Sequence, residues 1–176
     1  MLHKTIKVFL FFAVMLLLAC CVYEDVPDFE DGEYKGYKPV YASASEAAII
    51  LQSPRTLRNP GKIYVYGKYL LVNEKQRGIH FYDNTDPENP VVLGFLRVYG
   101  NVDMAVKDDI LYVDHIGQLV ALDITDLNNI QELSRHTFSG DQYPEQTGSY
   151  FECPDPSKGA VIGWELATLK NPKCYR

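Results

Sequence analysis

Residues 61–138 carry one segment twice, and that repetition constrains the fold more than any other feature of the chain. Lys68-Tyr69-Leu70-Leu71-Val72-Asn73 aligns with Asp109-Ile110-Leu111-Tyr112-Val113-Asp114 at an offset of 41 residues. Tyr82-Asp83-Asn84-Thr85-Asp86 aligns with Leu122-Asp123-Ile124-Thr125-Asp126 at an offset of 40, so one copy is a residue shorter in a loop. Across the 27 positions 63–73 and 78–93, eight residues are identical in the second copy: Val65, Leu70, Val72, Asp83, Thr85, Asp86, Asn89 and Leu93. A unit of about 40 residues cannot bury its apolar face alone and must stack on a neighbour.

Each copy divides into four short strands. The pattern predicts Lys62–Tyr66, Tyr69–Asn73, Gly78–Asp83 and Val91–Val98, then Asp103–Lys107, Ile110–Asp114, Gln118–Ile124 and Ile130–Phe138. Gly67-Lys68 and Asp108-Asp109 are hairpin connections, where a positive φ costs Gly nothing and Asp little. In the connection from third to fourth strand, Asp and Thr side chains can bond the backbone two residues on, with Pro87 and Pro90 presetting the turn. Calcium is the rival use of those carboxylates, but the spacing lacks the central Gly and distant Glu of an EF-hand loop. The expected fold class is therefore all-β, with β-propeller-like repeats forming two four-stranded blades, an incomplete propeller, plus a short C-terminal strand. Two blades leave a truncated relative of longer propellers, an open sandwich of the two sheets, or a homo-oligomer that completes the ring; the expected arrangement is two packed sheets with the tail covering an edge, because an exposed apolar edge would aggregate.

Residues 1–19 read as a leader. Lys4 and Lys7 precede an uninterrupted apolar run from Val8 to Ala19, too short to span a bilayer but suited to a signal peptide. It ends in Leu17-Leu18-Ala19-Cys20, which resembles the lipobox of a bacterial lipoprotein. That resemblance implies diacylglycerol on the Cys20 thiol, with added palmitate-type acyl chains anchoring the chain in a membrane. Residues 20–36 form an acidic tether in which six acids precede the first cation, Lys35. Like charges keep such a run extended. Acids shortly after the acylated Cys are similar to the outward-export signal of Bacteroidetes-type lipoproteins. They imply an outer-membrane, lipid-anchored location facing the cell exterior.

The chain holds 17 basic and 23 acidic residues, and loss of Lys4 and Lys7 with the leader makes it more acidic still. Bulk charge excludes a nucleic-acid partner. The remaining partition is a two-repeat β domain at 37–138, with repeats at about 61–98 and 102–138, and a tail at 139–176. Ser43 to Ala48 predicts a helical turn capped by Ser43 or Ser45, and Ile49 to Ser53 a strand beside the first repeat. In the tail, Ala160 to Leu166 reads as a final strand flanked by Cys153 and Cys174. Those cysteines are expected to form a disulfide in an oxidising envelope. A zinc pair lacks the usual spacing, and free thiols are the other alternative.

Residues 78–90, Gly-Ile-His-Phe-Tyr-Asp-Asn-Thr-Asp-Pro-Glu-Asn-Pro, and Leu119 to Asp126 resemble the LVIVD repeat of bacterial surface lipoproteins. The second copy departs from it, with Leu127 and Ile130 at the proline positions. The resemblance implies a β-propeller-like fold and no particular activity, since a fold does not carry a reaction with it.

No motif for a reaction stands out. His80, His115 and His136 are the only histidines outside the leader, and none sits in a nucleophile, zinc or phosphate-loop pattern. No catalytic residue, cofactor or metal is assigned, and the ligand-binding residues stay unknown. The expectation is a non-enzymatic envelope or cell-surface binding module that meets a protein or glycan partner. Tyr64, Tyr66, Tyr69, Tyr82 and Tyr99 are its candidate contacts unless they merely fill strands. The alternative is an envelope hydrolase using Asp or Glu.

Overall fold

The computed structural model of the chain describes Pro27 and residues 29–137, 143–144 and 146–176. The expected signal peptide, Cys20 and much of the acidic tether lie outside those residues. The described part is all-β, with one short α-helix and three sheets, none closed. In chain order the elements are β1 (Glu33–Ala42), α1 (Ala44–Ala47), β2 (Ile50–Gln52), β3 (Pro60–Tyr66), β4 (Tyr69–Glu74), β5 (Gly78–Asp83) and β6 (Val91–Arg97). Then follow β7 (Met104–Lys107), β8 (Ile110–His115), β9 (Gln118–Asp123), β10 (Gln131–Thr137), β11 (Tyr150–Phe151), β12 (Ala160–Lys170) and β13 (Cys174–Tyr175).

The repeats fold as their patterns predict, β3–β6 and β7–β10, each an antiparallel meander. Turn chemistry follows the sequence. Gly67 takes φ +55°, while Asp108 and Asp109 take +52° and +58°. The Asp83 carboxylate accepts from the Thr85 amide at 2.9 Å and hydroxyl at 2.6 Å, and Asp123 accepts from the Thr125 amide at 2.9 Å. Asp86 and Asp126 accept in the same way from the amides of Glu88 and Asn128. The first sheet is five-stranded rather than four, because β2 pairs with β6, Leu51 opposite Leu96. Ser43 caps α1 in a reciprocal box, accepting from the Glu46 amide while the Glu46 carboxylate accepts from the Ser43 amide.

The two repeat sheets face each other across one core. Leu71, Ile79, Phe81 and Leu96 enter it from the first sheet; Leu111, Val113, Val120 and Leu122 enter from the second. Fully burying each such side chain contributes about 1.5–3 kcal/mol. The sense of the packing is informative. Leu71 and Phe81 correspond by the repeat offset to Tyr112 and Ala121, which strand alternation places on the outer side of the second sheet. Leu111 and Val113 correspond to Leu70 and Val72 on the far side of the first. The copies therefore stack front to back, not as mirror halves. Repeat-equivalent residues meet across the seam: Lys62 Nζ lies 2.6 Å from Asp103 Oδ1, 41 residues on. Tyr64 donates its hydroxyl to the Val106 carbonyl at 3.2 Å, and the Tyr66 hydroxyl accepts from the Asp109 amide at 2.9 Å.

The third sheet, ordered β12-β1-β11-β13, is not legible as a unit in the sequence. The segment from Glu33 begins a strand within the expected tether, and β12 pairs with it from Glu33↔Lys170 to Ala42↔Ala160. The tail strand is thus eleven residues long and covers no edge of either repeat sheet. Gly36 is required where β1 meets β11, since a Cβ there would collide with the Tyr150 carbonyl. Cys153 and Cys174 form a disulfide with Cα atoms 5.4 Å apart, fastening β13 beside β11. Among the described residues no helix is long and apolar enough to cross a membrane.

Candidate functional site

Two clefts open where the third sheet meets the repeats. The first, about 940 Å³, has a floor of Leu51, Leu96, Leu122 and Leu127. Its polar wall is self-satisfied. Arg135 grips Glu132 with two bonds of 2.8 and 2.7 Å, donates to Gln118 Oε1 at 2.6 Å and meets His115 Nδ1 at 2.9 Å. His115 Nε2 lies 3.0 Å from the Ala47 carbonyl. A carbonyl only accepts and a guanidinium only donates, so the proton sits on Nε2 and the ring is neutral. Burial, reinforced by the Arg135 charge, holds His115 below its usual value.

The second cleft, about 870 Å³, runs between the third sheet and the loops at one end of the repeats. Tyr37 of β1 and Trp164 of β12 form one wall with Tyr143. Buried Phe151 supports this wall: Trp164 stands edge-on to it at 5.5 Å and Tyr143 at 5.9 Å. The opposite wall is the turn at Gln76-Arg77, Gly100 and the hairpin Ile116-Gly117. Gln76, Gly100, Ile116 and Gly117 all take a positive φ in those turns.

A buried amide knot holds the loops together. Asn101, fully buried, donates to the Asp103 carbonyl at 2.8 Å and to Asp114 at 3.0 Å, while its own carbonyl accepts from the Gln76 amide at 2.9 Å. Asp114 accepts from the amides of Val102 and Asp103 as well, at 2.9 and 2.8 Å. Burial raises the Asp114 carboxyl above its ordinary range, against the lowering effect of those amides. The side chains of Arg77 and Glu165, both lining the cleft, make no hydrogen bond or ion pair among the described residues.

The residues singled out in the sequence scatter. Tyr64 and Tyr66 are engaged in the seam and Tyr69 packs on the core, so these three fill strands. Tyr82 lies on the far side of the first sheet, and Tyr99 beneath Arg97. His80 is wholly buried with Nε2 2.8 Å from Glu74, which also bonds Arg55. His136 stands exposed on β10. The three histidines share no contact among the described residues, nor do those residues include a group of three or more His, Cys, Asp or Glu side chains placed to hold a metal ion. Tyr37, Trp164, Arg77 and Glu165 were missed because they converge from three separate segments; only the single Trp of the chain was a visible hint.

Comparison with protein-family models, curated proteins and solved structures returns no match to this chain.

Proposed function

We propose that this protein is a lipid-anchored, outward-facing envelope module that binds a saccharide in the aromatic cleft. The carrying observation is the aromatic wall of Tyr37, Trp164 and Tyr143 facing Arg77, whose side chain makes no hydrogen bond or ion pair among the described residues, across a cleft of about 870 Å³. Sugar rings present an apolar C–H face and a rim of hydroxyls. An aromatic wall suits the first, and the Arg77 guanidinium, a multiple donor, suits the second. Anchoring through Cys20, an outer-membrane location and membership among LVIVD-type repeats belong to the same proposal, carried by the leader and repeat motifs. The front-to-back stacking of the repeats supports a propeller-like, incomplete arrangement of blades, since neighbouring blades of a propeller meet unlike face to unlike face.

Trp164 is the only tryptophan, so its emission reports directly on the cleft. Titration with soluble neutral, amino-sugar and uronate oligosaccharides is expected to give a saturable shift with one class. Tyr37→Ala and Arg77→Ala, which keep the probe, should weaken it at least tenfold. No shift with any class, or unchanged affinity in both variants, refutes the reading.

A hydrolase is the second reading, favoured by one observation: Asp114, with its raised carboxyl, and Glu165 line the same cleft. The oxygens of Asp114 already receive the loop amides, which suits a structural role better. Release of new reducing ends, abolished by Glu165→Gln, would favour the hydrolase.

A further inference from the structure

Front-to-back stacking leaves unlike faces at the two ends of the repeat pair, and they are the same kinds of face that meet at the seam. The far side of the first sheet bears Ile63, 63% exposed, Val65, 61%, and Val92, 38%, in register with Leu70 and Tyr82. The outer side of the second sheet bears Leu119, 44% exposed, beside half-buried Ile110 and Tyr112, with Ala121 buried. The far side is covered where Val72, His80 and Phe95 are buried and Arg55 lies over the Phe95 ring, and its open part is the strip of Ile63, Val65 and Val92. Contiguous exposed apolar surface of this kind marks an interaction site.

We propose that the protein associates with copies of itself head to tail, the far side of the first repeat sheet of one chain docking on the outer side of the second repeat sheet of the next. The contact continues the internal seam by one further repeat step. The same step is electrostatically consistent. Lys62 pairs with Asp103, its own repeat equivalent, so the next step brings Asp103 of one chain to Lys62 of the neighbour. Joining unlike faces gives a ring if the rotation closes and an open array if it does not. This inference stands apart from the saccharide reading, which concerns the loop end.

The test uses the full chain in detergent, with protein mass measured by light scattering after subtraction of the micelle. Wild type is expected to associate with rising concentration, as a discrete ring or a ladder. Val65→Glu blocks only the far side and Leu119→Glu only the outer side. Both positions are exposed, and unchanged Trp164 emission and circular dichroism confirm folding. Each variant alone should be monomeric, and an equimolar mixture should stop at a one-to-one dimer, since each chain retains the face its partner needs. A wild type that stays monomeric at every concentration overturns the proposal. So does association that survives in Leu119→Glu but not Val65→Glu, which would mean like faces pairing. A mixture that remains monomeric overturns it too.

Discussion

Removing the disulfide by Cys153→Ser with Cys174→Ser tests how the third sheet is held. The bridge spans a sequence separation of 21 residues and fixes β13 beside β11, where Phe151 lies opposite Cys174. Closing a loop of that length removes about 11 cal/mol/K from the unfolded chain, or about 3 kcal/mol at 25 °C. Trp164 stands on Phe151, so its emission follows this sheet. With a urea slope of about 1.5 kcal/mol/M, the midpoint should fall by roughly 2 M. Wild type under a reductant should fall equally, because only the constraint is lost. If the double variant keeps the wild-type midpoint, the chain-entropy reasoning fails. If the variant falls while reduced wild type does not, the loss comes from Ser in a half-buried site rather than from the cross-link.

Two further outcomes follow from buried polar groups. Glu74 is buried between Arg55 and His80, and desolvation of its carboxylate is outweighed by the bonds to His80 and Arg55, which leave its carboxyl below the ordinary value. Glu74→Ala should cost about 2 kcal/mol in urea unfolding, since it leaves the fully buried His80 Nε2 without its hydrogen-bond partner; a loss below about 0.5 kcal/mol would mean the bond contributes nothing. His115 is held below its usual 6.5, so below that pH the unfolded chain binds the proton that the folded ring resists. Stability should be full above pH 6.5 and decline as the pH falls below it, and His115→Gln should flatten that limb of the urea-midpoint profile; an unchanged slope would refute the assignment.

The elements legible beforehand share one property: their determinants are close in sequence. The hairpin turns at Gly67-Lys68 and Asp108-Asp109, the Asp83–Thr85 and Asp123–Thr125 bonds, and the Ser43–Glu46 box are all settled within a few residues. The strand beginning at Glu33 was hidden because its acidic start resembles an extended linker, and its partner lies at Ala160–Lys170. In that pairing Glu33 opposes Lys170 and Lys38 opposes Glu165, a charge match invisible until the register is known.

Sequence alone determined that this chain carries two similar β-meanders, where each turns, and which two cysteines could join. Tertiary structure decided how the meanders stack, that the two ends of the described chain make a third sheet, and that Tyr37, Trp164, Arg77 and Glu165 share a cleft. The physical reason is range. Turn geometry and side-chain alternation are enforced by neighbouring backbone atoms, whereas sheet register and cleft composition depend on which distant apolar faces are buried together.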